Sequence, residues 1–175
     1  MNVFMLLLTI AILIFLSLFI LVPVIIRKDK MASKSKYPTI MNAAIARALE
    51  VGMIKAVSSK GGRFKAVKPF LVYKKTINAI GSRHSITTLQ IAAGSVFVIG
   101  LNGRKYKGRV KDAQVMAIED LDSGMSLQTA RSIYDHEFEY RVGRKAVSTN
   151  GFDLHPTGCS TGIHFFFTKE LARQH

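Results

Sequence analysis

The sequence has no tryptophan, a single cysteine and few acidic residues. The lone thiol, Cys159, cannot form a disulfide within the chain, so nothing indicates an oxidising compartment. Only 11 Asp and Glu oppose 25 Lys and Arg, which gives a formal charge of +14. Residues 27–75 hold 13 of the basic residues and 2 of the acidic ones. This surplus predicts anionic partners: lipid headgroups first, and nucleic acid second because no nucleic-acid-binding motif is present.

Charge is also absent from the 24 residues Val3–Ile26, which are almost entirely apolar. As a helix this run would be about 36 Å long, enough to cross a hydrocarbon core of about 30 Å. A cleaved signal peptide fits poorly because the run is too long and no basic residue precedes it. The pattern predicts a retained transmembrane anchor over residues 1–26.

Basic residues follow the apolar run within a short polar linker, residues 27–36. Lysine and arginine near a membrane span stay on its cytoplasmic side. The sequence therefore predicts a single-pass membrane protein whose C-terminal domain faces the cytoplasm, with the bilayer and anionic headgroups as partners. The predicted lipid-facing residues are Arg27, Lys28, Lys30, Lys34 and Lys36.

Two further regions follow the linker. Residues 37–63 predict an amphipathic helix from Pro38 to about Val51, stopped by Gly52, and then a turn. Residues 64–175 predict short strands at Phe70–Tyr73, Leu89–Ile91, Val96–Ile99, Ala113–Ile118, Phe138–Val142 and Ile163–Phe167, with a tight turn at Asn102-Gly103 and a short helix from Lys169. The predicted fold class is α+β: one N-terminal transmembrane helix, then a small, mostly antiparallel β domain with a covering helix.

The densest group of reactive side chains is His155, Cys159 and His164, within ten residues. Their spacing matches no standard zinc pattern, and a fourth ligand is not evident. Cys159 and His164 are also a candidate nucleophile and base, but no third orienting group can be identified. We therefore predict no enzyme activity, no metal and no cofactor, and a structural turn at Cys159.

Residues 151–172 resemble the signature of an uncharacterised domain of large eukaryotic DNA viruses and some phages, which often accompanies pentapeptide repeats. Its strand, Cys-x-x-Gly-Ile-His-Phe-Phe segment and short helix are matched here, and the likeness extends over residues 64–175. The resemblance implies origin and fold, and it carries no established activity. Related members often have cysteine where this chain has Gly108. The signature residues are Tyr140, Gly143, Phe152, Asp153, Cys159, Gly162, Ile163, His164 and Phe165.

These observations predict a structural virion protein: a membrane-anchored minor capsid protein that links the internal viral membrane to the capsid shell, with capsid or other virion proteins as partners. The alternative is a membrane-tethered basic module that binds nucleic acid or anionic lipid. A cysteine- or metal-dependent enzyme is the third hypothesis.

Overall fold

Alternating apolar and polar residues make β-strands the main element of this chain. The computed structural model describes residues 36–57, 62–78, 83–100, 107–156 and 160–175. Within them lie helices α1 (Lys36–Glu50) and α2 (Lys169–Arg173) and twelve strands. The strands are β1 (Ile54–Ala56), β2 (Arg63–Ala66), β3 (Phe70–Asn78), β4 (His84–Ile91), β5 (Val96–Gly100), β6 (Lys107–Val110), β7 (Asp112–Asp120), β8 (Ser126–Leu127), β9 (Thr129–Ser132), β10 (Glu139–Arg141), β11 (Lys145–Val147) and β12 (Ile163–Phe165).

The strands form two antiparallel sheets within one compact unit, Ile40–His175. One sheet has the order β1-β2-β5-β6-β12, and the other has the order β10-β9-β3-β4-β7-β11, with β8 paired to β7. Buried residues of both sheets share one core, in which Phe97 and Phe165 meet Phe70 and Val72. The ring centroids of Phe97 and Phe70 are 5.6 Å apart. An isolated bridge between Tyr73 and Phe166 also connects β3 to the end of β12.

The predicted α+β class is wrong, because the described fold is mostly antiparallel β with a curled sheet. The sequence suggested that a helix covers the sheet. Among residues 43–50 of α1, however, only Ala48 is buried, with Ile45 packed beside it. The second sheet closes the core instead. Sequence periodicity identifies strands, but it does not show which strands share a sheet.

The single-pass membrane prediction is also overturned. Its anchor, residues 1–26, lies outside the described residues, and no helix that the structure describes is long and apolar enough to cross a membrane. The longer described helix, α1, has 15 residues. Its length of about 22 Å falls short of a hydrocarbon core of about 30 Å. The predicted localisation, a membrane-anchored domain facing the cytoplasm and a viral membrane, is corrected with it.

Several local predictions are confirmed. Helix α1 ends where the glycine stop was expected: Gly52 has φ 66°, and its N–H donates to the Leu49 carbonyl. The six predicted strand regions all contain strands, and α2 follows an N-cap, since the Thr168 hydroxyl accepts from the Leu171 N–H. The predicted turn at Asn102-Gly103 lies outside the described residues.

Gly108 lies directly opposite Phe165 where β6 pairs with β12. A Cβ atom added at Gly108 would lie 2.2 Å from Cε2 and Cζ of Phe165. No real Cβ contact is that short, and the Phe165 ring is held by Phe97 and Phe167 at centroid distances of 6.0 and 5.6 Å. A cysteine at this position would meet the same ring, so glycine here makes room for Phe165.

We expect Gly108→Ala to lower the free energy of unfolding by about 1–3 kcal/mol, because overpacking displaces Phe165. Urea denaturation measures this free energy of unfolding. Phe165→Leu and the double variant complete a double-mutant cycle. The double variant should be more stable than the sum of the two single effects predicts, since the smaller leucine side chain relieves the clash. A Gly108→Ala protein as stable as wild type would contradict this packing.

Candidate functional site

A cavity of about 380 Å³ opens where β3, β9 and β10 meet the segments before β12. Its volume is within the range of small-ligand sites. Hydroxyl and amide side chains make up much of its wall, together with a lysine, a histidine and three aromatic rings. The polar lining residues are Lys74, Ser132, Asp135, Ser148, Thr149, Asn150, Ser160, Thr161 and His164, and the aromatic ones are Tyr134, Phe138 and Tyr140.

Lys74 occupies a core position in the alternation of β3. Phe70, Val72, Lys74 and Thr76 are buried in turn, whereas the residues between them are half-buried or exposed. The Lys74 residue is only 8% exposed. Its amine makes no hydrogen bond or salt bridge with any residue that the structure describes. Lysine is almost never buried without a partner, so this position is unusual for a purely structural residue.

Burial and then the positive charge of Lys107 lower the pKa of Lys74 from 10.5 to about 8. The amine lies over the Tyr140 ring, whose centroid is 5.9 Å from Nζ. Such a contact contributes about 0.5–1 kcal/mol or somewhat more, which does not offset the desolvation of an ammonium ion. Lys74 therefore carries a buried charge whose cost the described residues do not balance.

The hydroxyls nearest to Lys74 along the sheet are already bonded to one another. Thr87 lies opposite Lys74 in the β3–β4 register. Its hydroxyl is 2.9 Å from that of Thr76, which is also 2.8 Å from the Ser85 hydroxyl. All three residues are fully buried. This closed network explains why these buried hydroxyls are stable, and it leaves the amine of Lys74 outside it.

Tyr140 adds an apolar aromatic ring and a phenol hydroxyl to the cavity wall. It is 2% exposed, and its ring centroid lies 5.0 Å from that of Phe138. Burial, and then the charge of Asp135, raise the pKa of Tyr140 well above its usual range. The phenol therefore keeps its proton at every physiological pH.

His164 is half-buried on β12, and its Nε2 has no hydrogen-bond partner among the described residues. Burial, and then the charges of Lys74, Lys107, Arg109 and His175, lower its pKa from 6.5 to about 4. His164 is thus neutral at pH 7. Several cations acting on one histidine show that this part of the molecule has a positive potential.

Arg109 holds the loop beside the cavity. It is fully buried on β6, opposite His164 in the β6–β12 register. Its guanidinium donates to the carbonyls of Asp153 at 3.2 Å and Thr161 at 3.0 Å, and also to that of His155. The planar fork of arginine can bind several acceptors at once. Arg109 therefore fixes the two ends of the segment from 153 to 161, part of which lines the cavity.

Asp153 reinforces the same loop from its own side chain. Its Oδ2 accepts a hydrogen bond from the Ser160 hydroxyl, and its Oδ1 accepts one from the His155 N–H at 2.9 Å. The hydrogen bond from Ser160, followed by that from His155, lowers the pKa of Asp153. The signature residue Asp153 thus has a structural role in ordering the cavity wall.

The reactive group highlighted in the sequence is not described as a unit. Cys159 lies outside the described residues, the His155 side chain is 76% exposed beside Asp153, and His164 lines the cavity. The described residues contain no group of three or more His, Cys, Asp or Glu placed to hold a metal ion. Of the predicted lipid-facing residues, Arg27 to Lys34 lie outside the described part, and Lys36 begins α1.

The other signature residues surround the cavity or support it. Tyr140, Gly162, Ile163 and His164 line it, and Phe165 is in the core. Gly143, at φ 76°, turns the chain between β10 and β11, and Phe152 packs against the α-carbon of Gly162. Sequence reasoning missed Lys74. The available signal was a lysine on the apolar side of an alternating strand.

A model of a family of unknown function (DUF5758) matches residues 58–172. No curated protein and no solved structure matches the chain. The matched range contains Lys74, Tyr140 and His164, which line the cavity.

Proposed function

The chain belongs to the family of unknown function DUF5758, matched over residues 58–172, and on this premise we propose that its domain binds a small anion in the cavity that Lys74 lines. The observation that carries the proposal is the buried Lys74 residue, whose amine makes no hydrogen bond or salt bridge with any described residue. An anion beside it would supply the missing charge partner, and the serine and threonine hydroxyls would supply hydrogen bonds.

The surrounding charges support an anion over a cation. The charge of Lys107 adds to the positive potential at Lys74 and at His164, and the charge of Arg109 adds to it at His164. Asp135 is the one carboxylate among the described lining residues, and its Oδ1 already accepts from the Glu137 N–H at 3.3 Å. This proposal narrows the predicted basic module for nucleic acid or anionic lipid to a site for one compact anionic group, such as a phosphate or carboxylate.

The minor capsid role bound to a viral membrane is not carried forward, since it needed the anchor whose prediction is corrected above. A virion role without that anchor stays a prediction that no comparison tests. We also propose that the chain is one of the viral forms of its family. This proposed viral origin is supported by the signature residues around His164 alone.

Sulfate is a suitable probe, because its charge does not change between about pH 6 and about pH 10. With sulfate at about ten times its Kd, linkage predicts a stabilisation of about 1.4 kcal/mol, measured as a rise in the Tm of the full chain against chloride of equal ionic strength. Lys74→Met should abolish this specific rise. Lys75→Met, which removes a lysine from the opposite side of β3, should keep it.

The effect should depend on pH in one direction. The pKa of Lys74 is about 8, so its ammonium is present below that pH and lost above it. The other ionisable groups at the site are His164, neutral above about pH 4, Tyr140, protonated throughout, and the side chains of Lys107 and Asp135. Sulfate stabilisation should therefore fall as pH rises through about 8. An equal sulfate effect in wild type and Lys74→Met would exclude Lys74 as the anion's partner.

A further inference from the structure

The Lys74 amine combines three properties that matter beyond charge. It is nine-tenths buried, it lines a cavity that is open to solvent, and it makes no hydrogen bond or salt bridge with any described residue. An amine tied into a salt bridge would be held as an ammonium ion and could not react. Here the amine lies over the π-face of Tyr140, 5.9 Å from the ring centroid, and this face is not a proton acceptor of that kind.

We infer that Lys74 forms an imine with a ligand that carries both a carbonyl and a carboxylate, the class of 2-oxo acids. This inference rests on the proposed anion site, since the carboxylate would use the same positive potential. A desolvated lysine close to another cation is the usual arrangement for imine chemistry. Lys107 is that second cation, and its charge lowers the pKa of Lys74 together with burial.

The chemistry balances without an oxidant or a reductant. The ammonium of Lys74 first loses one proton to solvent, and the nitrogen lone pair then forms a bond to the carbonyl carbon. The carbonyl oxygen becomes a hydroxyl by taking a proton from that nitrogen. With one further proton from solvent it leaves as water, and a protonated imine remains. The imine keeps the single positive charge that Lys74 had, so the carboxylate stays paired.

At pH 7 about a tenth of an amine with a pKa near 8 is neutral, against well under a thousandth of an ordinary lysine. This difference favours selective reaction at Lys74. Tyr140 and His164 leave the nitrogen free to react, because neither carries a negative charge that would hold the ammonium form. Ser132 and Ser148 line the same cavity, and their hydroxyls can donate to the carboxylate.

The test is to incubate the full chain with pyruvate, reduce with cyanoborohydride, and measure the intact mass and the modified peptide. A single adduct at Lys74 is expected, with the mass of one pyruvate plus two hydrogen atoms less one water. Labelling at Lys74 should be at least about tenfold faster than at Lys75. Sulfate should slow it. Labelling spread evenly over the lysines, or no adduct, would overturn the inference.

Two variants separate this inference from the anion site itself. Lys74→Arg keeps a cation but cannot form the imine, so it should retain sulfate stabilisation and lose the adduct. Lys75→Met should behave as wild type in both assays. Sulfate binding without any adduct at Lys74 would leave the anion site standing and reject the imine. An adduct at Lys74 without sulfate binding would support the imine and reject the small-anion site.

Discussion

Lys74→Met should make the protein more stable at pH 7, by about 2–3 kcal/mol. Most single substitutions destabilise, so this direction is distinctive. The wild-type pKa of about 8, against 10.5 when unfolded, means that holding the charge of Lys74 costs about 3 kcal/mol, at about 1.4 kcal/mol per pKa unit. Methionine has a similar length and no charge, and the lost contact with the Tyr140 ring offsets only part of the gain.

The sign of the pH dependence follows from the lowered pKa. Between about pH 8 and about pH 10.5 the unfolded chain binds more protons at Lys74 than the folded chain does. Wild-type stability from this residue therefore rises with pH across that window, and below about 8 the full cost applies. The gain in the free energy of unfolding from Lys74→Met should be largest at pH 7. Near pH 10.5 it should shrink to the part that comes from the difference in side-chain packing.

Urea denaturation at both pH values measures the difference. Lys75→Met is the matched control, since Lys75 is on the opposite side of β3, and it should track wild type at each pH. A Lys74→Met protein less stable than wild type at pH 7 would mean that the amine has a stabilising partner. The idea that Lys74 is kept for a ligand at the expense of stability would then fail.

Arg109→Met should have the largest destabilising effect, about 3–5 kcal/mol. The substitution removes the donor for the carbonyls of Asp153, His155 and Thr161, and each carbonyl left without a partner costs about 1–3 kcal/mol where it stays buried. Part of the loop can reach water once released, so the three costs do not simply add. The free energy of unfolding measures the total.

Arg109→Lys tests the geometry of the fork. A lysine keeps the charge, but its compact ammonium cannot bind three carbonyls from a planar arrangement, so about half of the loss should persist. Hydrogen exchange should show faster opening of residues 151–162 in both variants, whereas β4 and β7 should change little. A loss below about 1 kcal/mol for Arg109→Met would show that the loop does not depend on this side chain.

Local structure was predictable where one segment contains the whole signal. The apolar run Phe70–Tyr73 identified part of β3, and the alternation of Leu89 and Ile91 with polar neighbours identified part of β4. Gly52 identified the end of α1. Turn residues and hydrophobic periodicity determine structure over a few neighbouring residues, so they can be recognised within one segment.

The site was not predictable, because its contacts are far apart in sequence. Arg109 binds carbonyls that are 44 to 52 residues away in the sequence. The local sequence Lys-Gly-Arg-Val contains no pattern that predicts these contacts. Lys74 lies just after the predicted strand Phe70–Tyr73, in a run of two lysines. Only the pairing of β3 with β4 and β9 places it in the interior. The cluster of His155 and His164 was considered for metal binding and nucleophilic catalysis. It lies in the segment beside the cavity, where His164 is part of the lining.

The central claim is that the Lys74 amine has no charge partner among the described residues until an anion binds in the cavity. NMR titration of its side chain in the full chain, labelled at lysine and assigned with Lys74→Arg, tests this claim most directly. The account predicts a pKa of about 8 that rises when sulfate is added. A pKa near 10.5 that sulfate does not move would contradict it.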